Sequence, residues 1–351
     1  LGSLLLLLDD PMLAAFVHSI FSWISVHAGF SVLGYALRFP VAAVPIAGAV
    51  TVLHPCGSHF AISTLPDVMT WGLYFAWAGG VILMWTRPGS GVRWAVVAAI
   101  ALAISTALRF EGWPLAGLFC VSNGVWLWKH RRSLSIRSIA LVGGAAVLPL
   151  VFPLIWMISA WRVLGHPLGF LNNPLLHHRE WGGTYKYASP DWSPPLGGRL
   201  NNSWLYLKIW GGTVVYFLPL LYPVLVRYGS RTLLLALTVP GLWLAEIVAV
   251  AFRSGFTANF WERIPMPAIL GFLFICSAGA VIIVREGKQW ARLTAAGFVA
   301  AGVTLAFVQV SRTIEYRYTI FQDAEALTMA AGIRYAIQQD VIDDRSEEHN
   351  V

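Results

Sequence analysis

The chain has 351 residues, of which 57% are hydrophobic and only 12% charged, with a formal net charge of +7. A soluble domain carries roughly 25% charged residues, so an ordinary soluble globule is excluded. The class that fits is all-α, a polytopic bundle of membrane-spanning helices. In such a protein basic residues first report topology, and the positive balance does not point to nucleic acid. Cys56, Cys120 and Cys276 stand too far apart for a redox or metal spacing.

In chain order, 4–8 is leucine-rich, but Asp9 and Asp10 follow it and no basic leader or small-residue cleavage site is present. The chain opens on Leu1 rather than Met and reads as one whose start is missing. Residues 11–37 are predicted to hold a short interfacial helix and then a span, ended by Arg38. The run 40–53 is short for a span unless it continues past Cys56. Further spans are predicted over 65–85, 94–108, 113–128, 138–158, 204–226, 232–252, 264–284 and 293–310, about ten crossings in all. A long polar segment, 161–203, separates the two groups. The domain reading is therefore a transmembrane region 1–310 with an outer loop 161–203, followed by 311–351 as the start of a further outer segment.

Loop charge sets the expected orientation. Alternate loops carry Arg38; Arg87 and Arg93; Lys129, Arg131, Arg132 and Arg137; Arg227 and Arg231; and Arg285, Lys288 and Arg292, twelve basic residues. The other short loops carry three: Arg109, Arg253 and Arg263. The first set is expected in the cytoplasm. Arg109, 161–203, Arg253, Arg263 and the tail then face outward. Asp67, Glu111, Glu180, Asp191 and Glu262 fall at that outer side, and Glu246 sits inside a span toward its outer end.

The stretch around which the chain is organised is Leu108-Arg109-Phe110-Glu111-Gly112-Trp113-Pro114, between two uncharged apolar runs. A charged residue at a helix centre costs roughly 2.5–3.5 kcal/mol on insertion scales. A pair at this junction either marks a membrane exit or forms a polar site at the membrane face for a charged head group. The loop residues His177, His178, Glu180, Trp181, Tyr185, Asp191 and Trp192 mix aromatic faces, carboxylates and histidines, a set suited to sugars or peptides. A loop of that length is more often functional than idle. Its adjacent histidines have no further ligand at usable spacing, so no metal site is expected.

The order of several motifs resembles the GT-C superfamily of membrane glycosyltransferases, related to protein O-mannosyltransferases. Leu108-Arg109-Phe110-Glu111-Gly112-Trp113 is similar to that family's Thr-Arg-Tyr-Glu-Gly-Trp stretch. Asp10-Pro11 resembles the start of its interfacial helix. Ser63-Thr64-Leu65-Pro66-Asp67 resembles its Ser-Thr-Leu-x-Glu. Pro153 to Trp156 with Gly165-His166-Pro167-Leu168 resembles Pro-x-x-Trp then Gly-Asp-Pro-Leu, with His166 departing from Asp. Arg263-Ile264-Pro265-Met266-Pro267 is similar to its Arg-Tyr-x-x-x-x-Pro.

The resemblance implies transfer of a sugar from a polyprenyl-phosphate carrier to a glycan, lipid or protein acceptor on the outer face of a bacterial or archaeal plasma membrane. Arginine forks suit phosphate oxygens, so Arg109, Arg253 and Arg263 are the expected donor-phosphate site. Glu111 is expected to organise the site or act as base. The family's base lies in a first outer loop, expected upstream of Leu1, and Asp10 is the weaker substitute. No cofactor is required by this reading; a divalent metal is not indicated. The competing classes are a membrane transporter, which would show repeats and polar residues at mid-membrane, and a non-enzymatic lipid-binding protein of the cell envelope. The tail from Ser311 carries Ala324, Leu327, Ala331 and Ile333 at helical spacing and resembles an amphipathic helix opening a small outer domain.

Overall fold

A computed structural model describes residues 11–53, 67–109, 112–167, 214–254 and 266–289, with a few isolated positions beyond them. The chain divides into units 1–303 and 304–351, and every helix named below lies in the first. The described residues are all-helical. The helices are α1 (Pro11–Leu37), α2 (Ala43–Leu53), α3 (Asp67–Thr86), α4 (Gly91–Leu108), α5 (Gly112–His130), α6 (Ile136–Val147), α7 (Val151–Leu164), α8 (Leu221–Ser254) and α9 (Met266–Glu286).

Among the described residues, six stretches are long and apolar enough to cross a membrane: Phe16–Leu37, Asp67–Thr86, Pro88–Leu108, Ile136–Val163, Phe217–Ala249 and Met266–Glu286. This supports an integral membrane protein and is coarser than the ten crossings read from sequence; the expected span 293–310 and the continuation of 40–53 past Cys56 lie largely outside the described residues. Two differences have physical causes. The expected break between an interfacial helix and a span in 11–37 is absent: Pro11 sits at the first helical position, where its missing N–H costs nothing, and one 27-residue helix follows. α5 falls outside the six, its middle holding Ser122, Asn123 and Gly124, although it runs antiparallel to α4: Gly112 abuts Ser105 and Thr106, and Trp126 abuts Gly91.

The 33-residue run Phe217–Ala249 contains a reversal. Gly229 takes φ 80 and ψ 167, a region essentially restricted to glycine. Before it, Cys276 Sγ donates to Phe217 O and Leu220 O lies against Gly279, so this segment runs parallel to α9. After it, Pro240 packs on Gly271, so the chain returns in the opposite sense. The sequence reading of two helices joined through Arg227 and Arg231 has this turn as its local basis.

α9 is the central helix. Every residue from Met266 to Gly279 is buried, as an all-round apolar sequence requires. Phe274 stacks on Phe30 with centroids 4.8 Å apart, and Phe30 meets Phe75 at 4.9 Å. α1 and α3 run parallel with backbones nearly touching at Gly29 and Gly72. Small residues at such a seam permit the close packing on which helix association in lipid depends.

The basic loops gather at one end of the bundle. The Arg87 guanidinium lies 4.3 Å from the Tyr35 ring centroid and donates to its hydroxyl. Tyr35 neighbours Trp94, Phe39 neighbours Tyr228, Lys129 Nζ lies over Trp85, and Arg227 pairs with Glu286 at 3.6 Å. The five loops of the basic set thus share an end, and Asp67 and Arg109 occupy the other.

Candidate functional site: a buried ion pair beneath taller helices

α4 ends because Arg109 leaves the helical region. Its backbone is extended, at φ −148 and ψ 139, while its N–H still completes the ladder to Ser105 O. The Gly112 N–H donates to Arg109 O, and α5 begins there. Pro114 falls in the first turn of α5, where it is tolerated. Trp113 Nε1 donates to Thr106 O at 3.0 Å, which ties the new helix to the old one. This turn holds Arg109 at the end of α4 with its side chain aimed across to α3.

The partner there is Asp67, the first residue of α3. Arg109 Nη1 donates to Asp67 Oδ1 at 2.8 Å, and the two side chains are only 15% and 6% exposed. A carboxylate in a helix's first turn is favoured by the helix dipole. An ion pair this buried compensates a large desolvation penalty and is weak evidence for stability in itself. In an apolar bundle it is therefore a functional candidate first.

α1 adds a polar stripe beside the pair. His18, Ser22, Ser25 and Gly29 follow helical spacing on one face. Ser25 Oγ donates to Met69 O, and Gly29 abuts Gly72, so this face meets α3. That register places Ser22 level with Asp67 and His18 one turn farther out. Both are buried, at 2% and 6% exposure. Thr70 on α3 is buried beside them.

The pair does not sit at the rim of the bundle. α1 continues eleven residues outward from Ser22 to Pro11, roughly 16 Å. On the other side, Thr106 Oγ1 donates to Pro149 O at 3.1 Å. The chain stays helical through Leu150 and Val151, and α7 runs on to Leu164. It is apolar and exposed at Ile155, Trp156, Ile158, Trp161 and Val163. Arg109 thus lies roughly 15 Å short of the outer end of the Ile136–Val163 span. α3 and α4 themselves end at this level, so the pair stands at the outer end of the spans Asp67–Thr86 and Pro88–Leu108, with α1 and α7 running past it.

Of the site residues nominated from sequence, Arg109 is the one whose side chain is described. Arg253 belongs to the last turn of α8 by its backbone. Asp10, Glu111, Arg263 and the loop residues His177, His178, Glu180, Trp181, Tyr185, Asp191 and Trp192 lie outside the described residues. Sequence reasoning left out Asp67 as the arginine's partner, and His18 and Ser22 as its neighbours. The available signal was an acid at the first residue of one span and an arginine at the matching end of another.

A small apolar cavity of about 30 Å³ lies among Ile46, Val50, Phe217, Leu220 and Leu273. No protein-family model, no curated protein and no solved structure matches this chain.

Proposed function

We propose that the protein is an integral-membrane glycosyltransferase that takes a sugar from a polyprenyl-phosphate donor and passes it to an acceptor on the side opposite the basic loops. The observation that carries this reading is the buried Asp67–Arg109 pair at that end of an apolar bundle. A lipid-borne phosphate lies at the depth where tail meets head group, and the pair stands at the outer ends of two spans. A guanidinium carries five N–H donors in a planar fork, a geometry suited to phosphate oxygens as well as to the Asp67 carboxylate. Arg253, in the last turn of α8, supplies more positive charge; Arg263 and Glu111, outside the described residues, enter this reading through the motif resemblance alone. The motif resemblance supplies the reaction class. Positive-inside logic makes the opposite side extracytoplasmic.

A transporter is the second reading, and one observation favours it. His18 and the Asp67–Arg109 pair are ionisable groups enclosed among apolar helices, as ion pathways require. The two readings separate in one experiment. The full chain in proteoliposomes is given polyprenyl-phosphate-linked hexoses, and release of polyprenyl phosphate is followed together with proton and sugar flux. Donor consumption without flux is the expected result. Flux without donor consumption would replace the transferase reading with the transporter.

A further inference from the structure

Glu246 is the one ionisable residue in 232–252, a costly position that sequence alone leaves without a role. Its place follows from a single anchor. Tyr74 Oη donates to the Val239 carbonyl, and the Tyr74 ring meets Trp243 edge-on at 4.9 Å. From that contact outward, Asp67 is seven residues along α3 and Glu246 is seven residues along α8. Both segments run the same distance, roughly 10 Å. Seven residues are two helical turns, so Asp67 shares a face with Tyr74, and Glu246 shares a face with Val239. The two carboxylates therefore stand at one depth, above the Tyr74 ring, on walls that face each other. Glu246 Oε2 is buried. Trp243 and Ile247 flank it at 4% and 5% exposure.

We propose that Glu246 is the proton acceptor of this site, positioned across from the Asp67–Arg109 pair. This rests on the transferase reading and supplies a base within the described chain. Asp67 is already engaged in an ion pair with Arg109; Glu246 faces it from another helix. In the step, the acceptor hydroxyl oxygen bonds to the anomeric carbon as the bond from that carbon to the phosphate oxygen breaks. Polyprenyl phosphate leaves with the electron pair, and the hydroxyl proton passes to the Glu246 carboxylate. The other ionisable groups on the walls at this end, among the described residues, are His18, Asp67, Tyr74 and Arg109.

The test compares the full-length wild type with Glu246→Gln and Glu246→Asp, using the polyprenyl-phosphate hexose that the wild type consumes. Glu246→Gln should keep donor binding and melting temperature but transfer about 100-fold more slowly or worse. It should also lose the fall in rate at acid pH that protonation of a base produces, and Glu246→Asp should recover part of the rate. Transfer by Glu246→Gln within threefold of wild type, with an unchanged pH profile, would overturn the assignment and leave the transferase reading standing. A wild type that neither binds nor consumes any such donor would remove both.

Discussion

Arg109→Ala is expected to destabilise the folded protein by about 3–5 kcal/mol, because it leaves the Asp67 carboxylate charged and buried without its guanidinium. Asp67 is 6% exposed and Arg109 15%, so water cannot replace the lost partner at its full strength. The effect should appear as a lowered melting temperature in detergent. Loss of activity in that single variant would therefore mix folding with function. A double replacement separates them. Asp67→Leu with Arg109→Met removes both charges and replaces the pair with apolar side chains, and such exchanges of a buried pair are often neutral or stabilising. The double variant should recover wild-type stability and still fail to bind donor. A double variant as unstable as Arg109→Ala would show that the pair is needed structurally, whatever else it does.

The second large effect is expected at the α1–α3 seam. A side chain on Gly72 would run into the Ser25 backbone, and one on Gly29 into Gly72 O. Backbone cannot move aside as a flexible side-chain tip can. Gly72→Leu should cost at least about 1–3 kcal/mol, the range for overpacked cores, and should displace Phe75 from Phe30 and so disturb the Phe30–Phe274 stack. Because the Ser25–Met69 hydrogen bond and the level of Asp67 against α1 depend on the same register, the variant should weaken the site as well as the fold. Limited proteolysis and thermal melting in detergent measure this directly. An unchanged melting temperature would mean that α1 and α3 do not pack at that register.

Hydropathy and loop charge made the membrane class and the shared basic end legible in advance. Both are written in local composition, and the contacts of Tyr35, Phe39, Trp85 and Arg227 gather those loops as the charge parity requires. The partner of Arg109 was less legible. Asp67 is 42 residues away in sequence, and no local pattern says which helix ends meet. An arginine at the end of an apolar run reads as a membrane boundary, but sequence does not show that α1 and α7 run past that level. Glu246 was visible as an intramembrane acid, but its relation to Asp67 emerges only through the shared contact at Tyr74.

The claim at the centre is that Arg109 receives the donor's phosphate. It is tested most directly by measuring the binding of a polyprenyl-phosphate hexose to the purified full chain and to the Asp67→Leu, Arg109→Met double variant, with the phosphate-free polyprenol as control. Saturable binding by the wild type, at least tenfold weaker in the double variant and weaker again for the polyprenol, is the predicted result. Equal binding of donor by both proteins, or equal binding of donor and polyprenol, would contradict it.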